Sequence, residues 1–121
     1  MGERFDTSRP IYAQIVERLK AKILAGVYPP GGHLDSVRDL AAAAGVNPNT
    51  MQRALAELER TGLVYTQRTA GRFVTEDAAV VDIAKQELAH QQIGAFLHRM
   101  ERMGYDREQT AQLVRSWKED A

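Results

Sequence analysis

Asn49, Thr50, Gln52 and Arg53 place four hydrogen-bonding side chains within five consecutive residues. Carboxamides match the donor and acceptor pattern of adenine in the major groove of DNA, and a guanidinium matches the edge of guanine. On a helix, positions 49, 52 and 53 share one side, because residues three and four apart are neighbours. Met51, Leu55 and Leu58 recur on the other side at the spacing of a buried stripe. Any solvated amphipathic helix has two such faces, so the residues before it decide what it is.

Those residues are Ser36 to Gly45. Val37, Leu40, Ala41 and Ala44 fall on one face of a short helix, and Gly45 stands where the chain must leave helical geometry. Val46 supplies an apolar contact to the turn. Asn47 followed by Pro48 is the order a helix start prefers, a capping side chain and then a residue that needs no N–H. The stretch from Ser36 to Glu59 is predicted as two helices across a tight turn, with the polar set where a helix-turn-helix puts its base-reading residues.

Other chemistry finds little support. His33, His90 and His98 are the histidines. Glu87 and His90, and His98 and Glu101, are spaced three apart, but polar residues at that spacing are common on any solvated helix face, so no metal site is expected. No glycine-rich phosphate loop follows a strand, and no serine nucleophile sits in a recognisable motif. The chain is not read as an enzyme, and no cofactor is expected.

The 121 residues suffice for one domain with a small appendage. The absence of cysteine excludes disulfides and fits a reducing compartment. No apolar run approaches a membrane span, and Met1 to Pro10 has no hydrophobic signal region; a cytoplasmic protein is expected. Net charge is zero, yet unevenly spread. Residues 1–75 carry ten Lys or Arg against seven Asp or Glu, a net of +3, and residues 76–121 carry six against nine, a net of −3. The basic excess lies with the base-reading candidates.

The elements around them follow from periodicity. Ile11, Ile15, Leu19 and Ile23, flanked by Tyr12, Val16 and Leu24, predict a first helix opened by Pro10 and ended by Gly26. Tyr28-Pro29-Pro30-Gly31-Gly32 forbids its continuation. After Thr61-Gly62, the runs Leu63 to Thr66 and Arg72 to Thr75 are β-branched and aromatic, with Gln67 to Gly71 between them, and predict a hairpin. From Ala78 to Met103 the chain is helical again. Its apolar side holds Val81, Ala84, Leu88, Ile93, Leu97 and Met100, with Val80 and Phe96 beside it, and Gln91 to Gly94 predict a weak point or bend. Gly104 is a stop. Asp106 with Gln109 three residues on resembles a capping box and starts a last helix carrying Leu113, Val114 and Trp117. Two helices of this size cannot bury their apolar faces alone, so a second subunit is expected against them. The fold class is mainly α with a small β-hairpin: a winged helix-turn-helix over residues 1–76, followed by a two-helix dimerisation tail over residues 77–121.

The runs Pro10 to Ile15, Leu34 to Ala41, Gly45 to Ala54, Leu58 to Val64 and Gly71 to Val74 together resemble the GntR family of bacterial transcription regulators. The specific part is Asn47-Pro48-Asn49-Thr50 followed by Arg53-Ala54. The short helical remainder is similar to the YtrA-type subfamily, whose two-helix tail serves dimerisation; larger relatives carry an effector-binding domain there. The resemblance implies a homodimer that binds double-stranded DNA sequence-specifically, usually as a repressor. YtrA-type targets are often the regulator's own operon and linked ABC transporter genes. This chain has no room for such a domain, and the resemblance leaves a small-molecule effector unknown.

Residue by residue, the resemblance implies that Arg38 reaches DNA from the start of the second helix. It places Asn47, Asn49, Thr50, Gln52 and Arg53 at the recognition positions. The family usually has proline where Asp35 stands; an aspartate there is an alternative N-cap beside Ser36. The family's wing tip commonly runs glycine, basic residue, glycine, and here it reads Thr69, Ala70, Gly71. A β-branched residue in place of the first glycine disfavours close approach of the tip, so Arg68 and Arg72 are expected to meet phosphate from the wing's sides, around Gly71. Dimer contacts are expected from Val81, Ala84, Leu88, Phe96, Leu97, Met100, Leu113, Val114 and Trp117. Two other functions fit the same residues: a winged-helix protein-interaction module that no longer reads DNA, and a regulator with a small-ligand site lined by Phe96, Met100, Met103, Tyr105 and Trp117.

Overall fold

The computed structural model describes residues 4–119, in the order α1 (Ile11–Leu24), α2 (Val37–Ala44), α3 (Pro48–Arg60), β1 (Val64–Gln67), β2 (Gly71–Val74), α4 (Ala78–Arg102) and α5 (Arg107–Ser116). It divides into two compact units, Met1–Ala84 and Lys85–Ala121.

In the first unit the helix signals act as the sequence predicts. Ser36 caps α2, its side chain accepting from the Asp39 N–H at 3.1 Å. Asp35 is exposed and does not take the cap. Gly45 ends α2 with φ 71°, and the Gly45 and Val46 N–H groups return to Ala42 and Ala41 carbonyls. That left-handed stop turns the chain at once into α3, where the Asn47 Oδ1 accepts from the Asn49 N–H at 2.7 Å and Pro48 takes the first helical position. Ile15, Val16, Leu19 and Ile23 of α1, Leu40, Ala41 and Ala44 of α2, and Met51, Ala54, Leu55 and Leu58 of α3 form one core with Leu34, Leu63, Val64 and Val74.

The hairpin is antiparallel in the register Val64↔Val74, Tyr65↔Phe73, Thr66↔Arg72 and Gln67↔Gly71. It has a third member that the sequence conceals. The Gly31 N–H donates to Val74 O, the Val74 N–H to Gly32 O and the Leu34 N–H to Arg72 O, each at 2.9 Å, so residues 31–34 run along the free edge of β2. The prolines and glycines that stop α1 thus also deliver the chain to the sheet edge.

Asp77 opens α4, its carboxylate accepting from the Ala79 N–H at 3.0 Å. Val80 and Val81 pack against the core and Ala84 is buried in it. This corrects the assignment of Ala84 to the dimer contacts. A side chain buried within its own unit has no surface left to offer, and Val81 is half-covered by the same packing. For the same reason the compact division falls inside α4 and not between residues 76 and 77.

In the second unit α4 runs unbroken through Gln91 to Gly94. Gly94 does not interrupt the helix: it keeps a negative φ, and a Cβ added to it would meet nothing within 4 Å. Gly104, at φ 95°, ends the helix, with the Tyr105 N–H returning to Met100 O at 3.0 Å. Asp106 and Gln109 form the capping box of α5, and the Thr110 hydroxyl, buried, donates to Asp106 O at 2.8 Å. These polar bonds fix the start of α5. Its later residues Leu113 and Val114, and the C-cap Trp117, stay exposed.

Candidate nucleic-acid interface

Asn47, Asn49, Gln52 and Arg53 are exposed at the start of α3, and Thr50 is half-exposed. Met51, Ala54, Leu55 and Leu58 hold the opposite face in the core, which fixes the rotation of the helix and turns the polar set outward. Asn49, Thr50 and Arg53 line a shallow concavity with Pro10, Ile11 and Tyr12 of the α1 start. The Arg53 guanidinium lies over the Tyr12 ring, 3.7 Å from its centroid. Arg38 is exposed at the second position of α2.

On the wing, Arg68 is exposed beside the tip, whereas Arg72 is only 19% exposed along its side chain. The Arg72 Nε donates to Glu59 Oε1 at 2.6 Å, and Thr66 donates to the same oxygen at 2.6 Å. Arg72 therefore ties the wing to the end of α3, a use that phosphate contact from the wing's side did not anticipate. The Thr66 hydroxyl first, and then Arg72, hold the Glu59 carboxyl below its ordinary pKa against partial burial. A lowered folded pKa adds stability that is complete above the ordinary glutamate pKa and is lost as pH falls through the lowered one. Acid titration of thermal stability should therefore show a step in that window, and Glu59→Gln should flatten it.

The tip needs a left-handed residue only at Gly71, with φ 100°; Thr69 keeps a negative φ and is unstrained. The Ala70 N–H closes the turn onto Gln67 O at 3.1 Å. His33 secures it from the neighbouring edge segment, its Nε2 lying 2.8 Å from Ala70 O and its ring edge-on to Phe73 at 4.9 Å. A Cβ at Gly71 would stand 2.7 Å from the His33 Nε2. Gly71→Ala should thus destabilise the unit by about 1–2 kcal/mol from backbone strain alone, read as a lower midpoint in urea.

Tyr12, His33 and Glu59 are the residues of this surface that the sequence did not single out. Tyr12 stood as a flank of the α1 stripe, and the partners of the other two lie across the fold.

A helix-turn-helix whose second helix turns amides and a guanidinium outward, with a hairpin wing tied to that helix, defines a winged-helix DNA-binding protein. Residues 11–74 match the family model described as bacterial regulatory proteins, gntR family. The chain belongs to the GntR family, whose members are transcription regulators that bind DNA and not enzymes. It is 35% identical over 119 residues to the uncharacterised HTH-type transcriptional regulator YhcF of Bacillus subtilis, covering 98% of each chain. It is 44% identical over 72 residues to the transcriptional repressor YtrA of the same organism, covering 60% of this chain and 55% of that protein. Among solved structures, a GntR family regulator from Listeria monocytogenes superposes with a TM-score of 0.82 at 39% identity, over 94% of this chain and all of that one. The DNA-binding domain of AraR in complex with operator ORR3 superposes with a TM-score of 0.54 at 29% identity, over 62% and 88% of the two chains. Among the described residues no helix is long and apolar enough to cross a membrane.

Proposed function

We propose that the protein is a homodimeric repressor of a pseudo-palindromic operator, in which each α3 enters a major groove from Asn49. The exposed row Asn49, Gln52 and Arg53 at the start of α3 carries this reading. Among the described residues Arg53 has no carboxylate partner, so its donors are available to a base. Asn47, Thr50, Arg38 and Arg68 surround that row as contacts to backbone phosphate, with Gly71 and Arg72 shaping the wing. Half-sites should lie about one helical turn apart or a little more. The repressor assignment draws on the similarity to YtrA. The resemblance to YtrA-type regulators adds its own operon and linked ABC transporter genes as targets.

The second unit supports the dimer. Phe96, Met100, Leu113, Val114 and Trp117 line an open apolar groove of about 500 Å³, and Val114 also borders a second one with Ile93, Phe96 and Leu97. Trp117 is 70% exposed and Val114 57%. A small helical pair that leaves such a surface bare is the usual signature of an interface.

Fluorescence anisotropy with the upstream intergenic DNA, against shuffled DNA at two salt concentrations, tests the whole reading. Preference for the native fragment and a steep loss with salt are expected. Equal, weak binding to both would count against it. Arg53→Ala should lower operator affinity by about 1–3 kcal/mol and relax the base preference at one position per half-site. An unchanged ratio of operator to random-DNA affinity would remove Arg53 from the reading set.

A further inference from the structure

We infer that Tyr12 is the positioning residue for Arg53, and that the stack between them sets how strongly the protein prefers its operator. The inference rests on the reading of Arg53 as a base contact. It adds a residue on a different helix that makes that contact selective.

An arginine side chain has many rotamers, and freezing them at the moment of binding costs affinity. A carboxylate could hold the guanidinium beforehand, but it would occupy the same N–H groups and neutralise the same charge that DNA requires. Arg72 shows that arrangement: its Nε is spent on Glu59. An aromatic face holds the guanidinium by its plane and leaves the donors at its rim unused. The 3.7 Å separation of the Arg53 Cζ from the Tyr12 ring centroid is such a contact. The stacked pair borders the same concavity as Asn49 and Thr50.

Tyr12 can serve as the fixed member because its own place does not depend on Arg53. It is the second residue of α1, half-buried against the core, with Ile15 and Leu19 of the same helix fully inside. The α1 packing thus dictates where the ring stands, and the ring dictates where the guanidinium stands. Arg38 and Arg68 are exposed without an aromatic contact of this kind among the described residues. Loosely held cations suit phosphate, which is large and everywhere on the duplex; a held, unneutralised one suits a single base edge.

The test uses the full chain and a duplex selected by the wild-type protein from a random-sequence library, compared with unselected random duplex. The quantity read is the ratio of the two affinities. Tyr12→Phe keeps the ring and should hold that ratio within about twofold. Tyr12→Leu keeps apolar bulk without the aromatic face and should lower it roughly 3- to 30-fold, through a larger loss on the selected duplex than on the random one. In an Arg53→Ala background, Tyr12→Leu should have no further effect on the ratio. If the leucine variant does not melt cooperatively, Tyr12→Met is read in its place. A Tyr12→Leu or Tyr12→Met variant that is folded and keeps the wild-type ratio, while Arg53→Ala loses it, overturns the inference and leaves Arg53 as a base contact. So does an equal loss on both duplexes, which would mark Tyr12 as structural only. An Arg53→Ala variant with the wild-type ratio removes the base-contact reading itself, and the inference with it.

Discussion

Val114→Asp is expected to convert the proposed homodimer to a monomer and to weaken operator binding roughly 10²- to 10⁴-fold, the range over which a linked second site raises affinity. Val114 borders both apolar grooves of the second unit. At 57% exposure, it contributes little to the unit by itself. The start of α5 is held instead by the Asp106–Gln109 capping box and the buried Thr110 hydroxyl bond, which a change at 114 does not touch. An aspartate in the last turns of a helix costs only about 0.3–1 kcal/mol through the dipole. A partner subunit pressed against it would bury an unpaired carboxylate, which is far more costly. The two effects are therefore separable: the helical content should be retained while the mass measured by light scattering halves. Random-DNA affinity per subunit should stay close to wild type, because the recognition surface lies in the first unit. A variant that keeps the wild-type mass would count against the proposed dimer contact at Val114.

What could be read from the sequence follows how locally each feature is determined. The stop at Gly45 and the cap at Asn47 are fixed by residues within one turn, and their φ values and hydrogen bonds are those that residue type dictates. The capping box at Asp106 is equally local. The edge segment at residues 31–34 was hidden because its pairing with β2 joins residues some forty positions apart, through a stretch whose prolines and glycines spell only a stop. The Arg72–Glu59 pair is of the same kind: nothing in either segment alone says that the wing folds back on the end of α3. Ala84 was misread for a subtler reason. An apolar stripe along a long helix does not say what covers it, and here the cover changes partway along α4, from the core of the first unit to the bare face of the second. The Tyr12–Arg53 stack was likewise out of reach, since an α1 tyrosine beside an apolar stripe reads as core until α3 is laid against it.

Leu55→Ala should cost about 2–5 kcal/mol in unfolding free energy. Leu55 is 0% exposed in the middle of α3, on the side away from Asn49 and Gln52, and it sits in the core with residues of α1 and α2. Removing most of its side chain leaves a void that close-packed neighbours fill only in part. Against the 5–15 kcal/mol typical of small domains, that is a large fraction of what keeps the recognition helix in place. The expected pattern differs from that of Arg53→Ala in a diagnostic way. Well below its own melting temperature, Leu55→Ala should keep the ratio of operator to random-DNA affinity, since none of the outward side chains has changed. Near that temperature both affinities should fall together, as the fraction of folded protein falls. Measuring the ratio across a temperature series checks this directly. A ratio that dropped at low temperature, with the fold intact by circular dichroism, would mean that small shifts of α3 in its bed are enough to misplace the reading set. Base selection would then depend on how tightly the core grips the helix as well as on which side chains the helix carries.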